Sequence, residues 1–507
     1  MTSRLKAVRA KRVDGIGGDF VPLARYCVFL AALSSLYMVA GILDSRGIYT
    51  FVNWFGPAGL FVFSIFTCYK LLRRNPALIW TPLPWLLIAV AAYFGFGPLI
   101  YTFGSWSAVA NVDAAWPVST EDLFRTNLLT SVGMAVLSLA FFIVVRKPRG
   151  FERVSQAIQK SDERTVRLTA ISFLCIGGVV KYGLSLPYEF GLTSFVLPGT
   201  VYQLEQLTLI VLILIAYLSI SEGGKWKLAL MFFLPTELLS DFLRFSKTSL
   251  LLAILMPFMG WYMAKKKIKI LAAGAALMIL VYVLLTPLVS WSRDTIGKMT
   301  GAFYRATLSQ RLDVALEYFT RDASSAALEE SDRSEAWWGR LDYVPEQVFA
   351  MREYDMGRPS HDFSQILWVF VPRVIWPDKP VMTQAGIDLS ERMGGSRTTS
   401  VGTGLFADGY YNGGWTMVII VCCVAGSIMA FLSRMALAIM EKRALLLLPC
   451  VFMGIQMGTR IDGRFVPDYL GASVIYMGYF VIVYFLFTKK QKKRGLPATA
   501  FYKQAHS

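Results

Sequence analysis

Charge is scarce in this chain. Asp, Glu, Lys and Arg make up 17% of its 507 residues, against roughly a quarter in ordinary soluble domains. Histidine is almost missing, with only His361 and His506. Cysteine is limited to Cys27, Cys68, Cys175, Cys422, Cys423 and Cys450, all inside apolar blocks. No CxxC pair and no His/Cys cluster occurs, so neither a disulfide framework nor a zinc site is indicated, and no metal or cofactor is expected. P-loop, GxSxG and HExxH patterns are absent as well, which argues against nucleotide hydrolysis, α/β-hydrolase chemistry and zinc proteolysis.

What the chain has in abundance is apolar sequence. Hydrophobic residues make up 55% of it, and they come in blocks of about 20, the length that spans a bilayer. An all-α polytopic membrane protein of about twelve transmembrane helices follows. The blocks fall at about 26–43, 55–72, 79–103, 126–145, 168–186, 204–220, 228–243, 248–264 and 270–290, then at 414–433, 444–458 and 467–487. The basic N-terminus lacks a cleavage site of small residues after its first apolar block, so no removable signal peptide is expected. No internal repeat stands out.

Net charge is +17. A nucleic-acid binder would gather its basic residues on a folded soluble domain. Here they sit at the ends of apolar blocks, so no nucleic-acid partner is expected. Basic connections alternate along the chain, from Lys70-Leu71-Leu72-Arg73-Arg74 through Lys265-Lys266-Lys267 to the tail opening at Lys489. The positive-inside rule then places both termini in the cytoplasm. The domain plan is a basic N-tail over 1–25, nine spans over 26–290, a large partly helical outer-face loop over 291–413, three spans over 414–487 and a basic C-tail over 488–507.

The outer-face loop is where chemistry is expected. Its stretch Phe370-Val371-Pro372-Arg373-Val374-Ile375-Trp376-Pro377-Asp378-Lys379-Pro380 cannot be helical, because each proline removes an amide donor and restricts its predecessor. It predicts a stiff turn that pins Arg373 and Lys379 on either side of the Trp376 indole, a set suited to an anionic sugar ligand or, equally, to a rigid surface loop. The loop's cations are mostly arginine, Arg293 and Arg340 among them. The guanidinium fork grips phosphate in a bidentate manner, although ion pairs with the loop's own carboxylates would use the same residues. Two tight turns reach the same face: Arg244 with Lys247, and Arg460-Ile461-Asp462-Gly463-Arg464. Such charges either snorkel to the interface or meet the head group of a polyprenyl diphosphate lipid. The stretch from Gly402 to Gly414 adds glycines for close backbone approach, with Asp408, Tyr410 and Asn412 as hydroxyl-binding groups.

The order of Arg340-Leu341-Asp342, Gly357 to Ser364, the element Pro372-Arg373-Val374-Ile375-Trp376-Pro377-Asp378-Lys379-Pro380, and Tyr410-Tyr411-Asn412-Gly413-Gly414 resembles the Wzy-type polysaccharide repeat-unit polymerases of bacterial inner membranes. The likeness covers about 340–414 at motif level and the remainder in topology. It implies a GT-C-like membrane glycosyltransferase with metal-independent transfer. Such an enzyme moves a growing glycan from undecaprenyl diphosphate to another lipid-linked repeat unit at the outer (periplasmic) face of the inner membrane, as in O-antigen or exopolysaccharide synthesis. Its partners would be undecaprenyl-diphosphate-linked oligosaccharide, membrane lipid, a chain-length regulator and a flippase. Under that likeness Arg373, Lys379, Arg244, Lys247, Arg460, Arg464, Arg293, Arg340, Trp376, Tyr410 and Asn412 would bind diphosphate and glycan, and Asp408, His361 or Asp462 would act as base. An O-antigen-type ligase would use the same chemistry. A transporter or flippase of lipid-linked oligosaccharides is expected to show polar residues within its spans, near the midplane, whereas the charges here lie at span ends.

Overall fold

Long apolar segments in lipid must satisfy every backbone N–H and C=O internally, and the helix does this within one segment. A computed structural model describes the chain except for residues 1–17, 114–115, 147–157, 159–160, 194–200, 202, 301–305, 321–335, 372–375, 377–378, 381–383, 395–399 and 494–507. Among the described residues there are helices, turns and no strand.

Among the described residues, ten helices are long and apolar enough to cross a membrane. They are α1 Val21–Leu43, α2 Arg46–Arg74, α3 Pro82–Phe103, α4 Thr120–Arg146, α5 Glu163–Glu189 and α6 Gln203–Ser221. After α7 Lys225–Leu243 come α8 Lys247–Lys265 and α9 Ile268–Thr300. The interval between them and the last spans includes α10 Leu308–Thr320, α11 Val344–Asp355 and α12 Gln384–Arg392. The chain closes with α13 Leu405–Lys442, α14 Leu448–Thr459 and α15 Phe465–Val483. The expected spans at 228–243 and 444–458 are the two that fall short of this measure. Pro235, Glu237 and Asp241 lower the apolarity of α7, and α14 has only 12 residues, short of the ~20 that a bilayer requires.

Several boundaries differ from the sequence expectation, among them the start of α2 at Arg46 rather than near 55. Helix α9 continues to Thr300, well past 290. Helix α13 begins at Leu405 rather than near 414, so most of the glycine-rich stretch is helical. The helix breaks at Gly413 and Gly414, and Gly414 has φ 61° with the Tyr354 ring against it. Only glycine fits that combination without strain.

Helices α13 and α4 form the broadest packed pair. They approach closely at Gly426, where a Cβ would stand 2.4 Å from the Leu137 carbonyl oxygen, the small-residue contact that replaces hydrophobic drive between helices in lipid. Helix α6 is buried on all sides from Ile210 to Ala216 and forms the axis of a second group with α5, α7 and α8. Helix α9 lies at the periphery, with most of its apolar side chains exposed. All six cysteines are unpaired.

Three of the spans carry a π-helical stretch: Ala91–Phe96 in α3, Val179–Ser185 in α5 and Phe465–Gly471 in α15. All three lie toward the end of the bundle that the loop helices cover, which is also where the Arg244 and Arg460 turns lie.

Candidate functional site

The loop is fastened to the π stretch of α3. Trp338 stacks on Phe96 at 4.9 Å between ring centroids and donates its indole N–H to the Phe96 carbonyl at 2.9 Å. A Cβ at Gly97 would stand 2.2 Å from the Leu341 carbonyl oxygen, so the loop backbone lies directly on the span. Tyr343 meets Tyr93 edge-on at 5.2 Å. Pro345, next to the start of α11, fits the first helical turn, where its missing N–H costs nothing.

This docking brings three of the expected cations together from three separate elements. Lys247 opens α8, Arg293 lies near the end of α9, and Arg340 leads the loop segment. Their charges act on one another. Arg293 donates from Nε to the Phe245 carbonyl at 3.1 Å. Lys247 lies 6.0 Å from the Tyr282 ring. Among the described residues, neither Lys247 nor Arg340 makes an ion pair with a carboxylate. Cations held this close repel one another, and an anionic group placed among them relieves that repulsion.

Two carboxyls meet the loop segment that carries Arg340. Asp462 accepts the Tyr343 hydroxyl at 2.8 Å. Burial raises its pKa above the ordinary carboxylate range, with the Tyr343 bond opposing the rise. Glu346, in the first turn of α11, feels the Arg340 charge, yet burial still pushes its carboxyl up to about 7. Its Oε2 is buried without a hydrogen-bond partner. Burial also holds the Tyr343 phenol well above its usual range, with the Asp462 charge adding to it. The neighbourhood therefore offers cations to receive negative charge and two acids tuned toward neutrality to take or give a proton.

The other predicted residues lie in separate settings. Arg464 donates from Nε to Asp408 at 3.2 Å and pairs with Asp362, leaving Nη1 buried without a partner. Burial lowers its pKa to about 10, so it stays cationic at neutral pH. Asp408 also accepts the Phe465 amide at 2.8 Å and is engaged on both oxygens. Arg460 is half-exposed and pairs with Asp468 at 3.0 Å. Asn412 donates to the Asp408 carbonyl at 2.9 Å, and Tyr410 donates to Asp355 at 3.0 Å. His361 is exposed at the head of the short 3-10 helix Asp362–Phe370. Of the proline-rich element, Arg373 lies outside the described residues. Lys379 donates to the Val371 carbonyl at 3.0 Å. Trp376 is 53% exposed and tilts against Trp368.

Arg244 is gripped by carboxylates. Its Nε and Nη2 each lie 2.6 Å from an oxygen of Glu189, and Nη1 reaches Glu205. Deeper in the bundle, Lys181 contacts Glu237 at 2.7 Å and Asp241 at 2.8 Å, and Tyr182 donates to Glu237 at 2.5 Å. All three charged groups are at most 2% exposed. This corrects the expectation that charges sit only at span ends. The signal was present in the sequence as single ionisable residues inside apolar runs, Lys181 in 168–186 and Glu237 with Asp241 in 228–243. Glu346 had no such signal.

Among the described residues, no group of three or more His, Cys, Asp or Glu side chains gathers as a metal site. No family model, curated protein or solved structure matches this chain.

Proposed function

We propose that the chain is a bacterial inner-membrane glycosyltransferase that polymerises lipid-linked oligosaccharide repeat units at the outer face. The observation that carries this reading is the cluster of Lys247, Arg293 and Arg340, with Glu346 beside Arg340 and Asp462 tied to the same loop segment through Tyr343. In the reaction, an acceptor sugar hydroxyl oxygen attacks the anomeric carbon of the donor glycan. The bond from that carbon to the undecaprenyl diphosphate oxygen breaks, and the electron pair leaves with the diphosphate. Lys247, Arg293 and Arg340 receive that charge, as preorganised donors do at a developing anion. Asp462 takes the hydroxyl proton. Of the expected bases, Asp408 is held by two donors and His361 is exposed, whereas Asp462 is buried and tied through Tyr343 to the loop segment that carries Arg340. Twelve spans, with α7 as the less apolar member and α14 as the short one, belong to the same reading.

The test is polymer length on lipid-linked repeat units, with protein level checked alongside. Lys247→Ala or Arg340→Ala is expected to cost about 100- to 1000-fold in rate. Wild-type ladders from both variants at normal expression would remove this cluster from the reaction.

One observation favours a second reading, a transporter of lipid-linked sugars: the Lys181, Glu237 and Asp241 network inside the bundle. Purified protein in vesicles separates the two. A polymerase lengthens the glycan with no other enzyme present, and a transporter moves it across unchanged.

A further inference from the structure

The opposite end of the bundle carries a second feature that the reaction above does not use. Helices α1 and α2 are antiparallel neighbours, so the first turns of α1 face the last turns of α2. Between them lies a cavity of about 440 Å³. Arg25, Lys70, Arg73 and Arg74 line its rim, and Phe63 and Phe66 form part of its wall. No Asp or Glu lines it among the described residues. Arg74 donates to the Gly18 carbonyl at 2.9 Å, and Lys70 sits 5.0 Å over the Phe66 ring. Arg25, Lys70 and Arg73 make no ion pair among the described residues. The aromatic wall does not end at the cavity: Phe63 is 43% and Phe66 is 53% exposed on the lipid-facing side of an apolar span.

We infer that this cavity binds the phosphate head group of an anionic phospholipid, with the acyl chains lying along Phe63 and Phe66. Four basic side chains gathered with no carboxylate lining the cavity among the described residues attract an anion, and a basic pocket between spans at the membrane boundary is where an acidic lipid head group lodges. A free phosphate would satisfy the rim equally well but gains nothing from the exposed phenylalanines, whereas acyl chains bury them. The site lies away from the loop-covered end, so it is separate from the proposed transfer chemistry.

The experiment is native mass spectrometry of delipidated protein titrated with phosphatidylglycerol, phosphatidylcholine or inorganic phosphate. Wild type should retain one phosphatidylglycerol per chain in preference to phosphatidylcholine. The exposed-rim variant Arg25→Gln/Lys70→Gln/Arg73→Gln should lose that retention by about 100-fold. Lys265→Gln/Lys266→Gln/Lys267→Gln, which removes an equal charge at another basic boundary, should leave it unchanged. Phe63→Ala/Phe66→Ala should weaken phosphatidylglycerol but not inorganic phosphate. Equal loss in both charge variants would reduce the effect to general attraction and overturn the site. Equal retention of phosphatidylglycerol in wild type and Phe63→Ala/Phe66→Ala, with inorganic phosphate competing fully, would overturn the lipid assignment.

Discussion

Tyr343 donates its hydroxyl hydrogen to Asp462 at 2.8 Å and so ties the outer loop to the turn between α14 and α15. The same turn accepts the Gly404 amide at the Asp462 carbonyl and the Leu405 amide at the Ile461 carbonyl. One short turn thus anchors both the loop and the start of α13. Tyr343→Phe leaves Asp462 buried with one donor fewer, a loss of about 1–3 kcal/mol, read as a lower thermal midpoint. The lost bond favoured the charged carboxylate, so the Asp462 pKa should rise further. In a pH profile of polymerisation the acid limb should move to higher pH. An unmoved limb would take Asp462 out of the proton transfer.

Glu346 should make stability depend on pH in a defined direction. Its carboxyl goes from 4.5 in its ordinary state to about 7 when folded. The folded chain then binds the proton more tightly than the unfolded chain. Stability is full below about 4.5 and is lost as pH rises through about 7, by on the order of 3 kcal/mol. Glu346→Gln should flatten that part of the midpoint-against-pH curve between pH 5 and 8. An unchanged slope would show that the carboxyl is not buried as described.

Lys181→Met should be among the most damaging single changes in the bundle. It leaves Glu237 buried without the Lys181 ammonium and Asp241 with only Arg244, 3.8 Å away, at a cost of about 3–5 kcal/mol. The triple change Lys181→Met/Glu237→Gln/Asp241→Asn removes the charges together and should recover most of the thermal midpoint. If the triple variant is stable yet inactive in polymer-length assays, the network serves the reaction as well as the fold.

Gly414→Ala should cost about 1–3 kcal/mol in thermal stability, since φ is 61° and a Cβ would stand 2.9 Å from the Tyr354 hydroxyl oxygen. Gly413→Ala should cost less, because φ there is −179° and any residue adopts it.

The spans were legible because a block of about 20 apolar residues has few other ways to fold in lipid. Lys247, Arg293 and Arg340 were legible as residue types suited to phosphate, but not as a group, since they are brought together by the docking of Trp338 on Phe96 across 242 residues of sequence. Glu346 was illegible for the same reason: as one of many loop carboxylates it looks solvated, and only the seating of α11 buries it. Arg244 looked free as an exposed turn residue. Glu189 claims it from a segment that reads as nearly uncharged, where a lone carboxylate is easily taken for an interfacial group.

The π-helical stretches in α3, α5 and α15 have a bearing on how such a site arises. Each fits surplus backbone into a spanning helix while its neighbours stay packed. Beyond the stretch, every side chain points in a new compass direction. The stretches themselves carry inward contacts: in α3, Tyr93 and Phe94 meet Tyr343, and in α5, Lys181 meets Glu237. A bundle whose partners are already chosen can therefore acquire inward-facing chemistry one codon at a time, by lengthening a helix instead of rebuilding it.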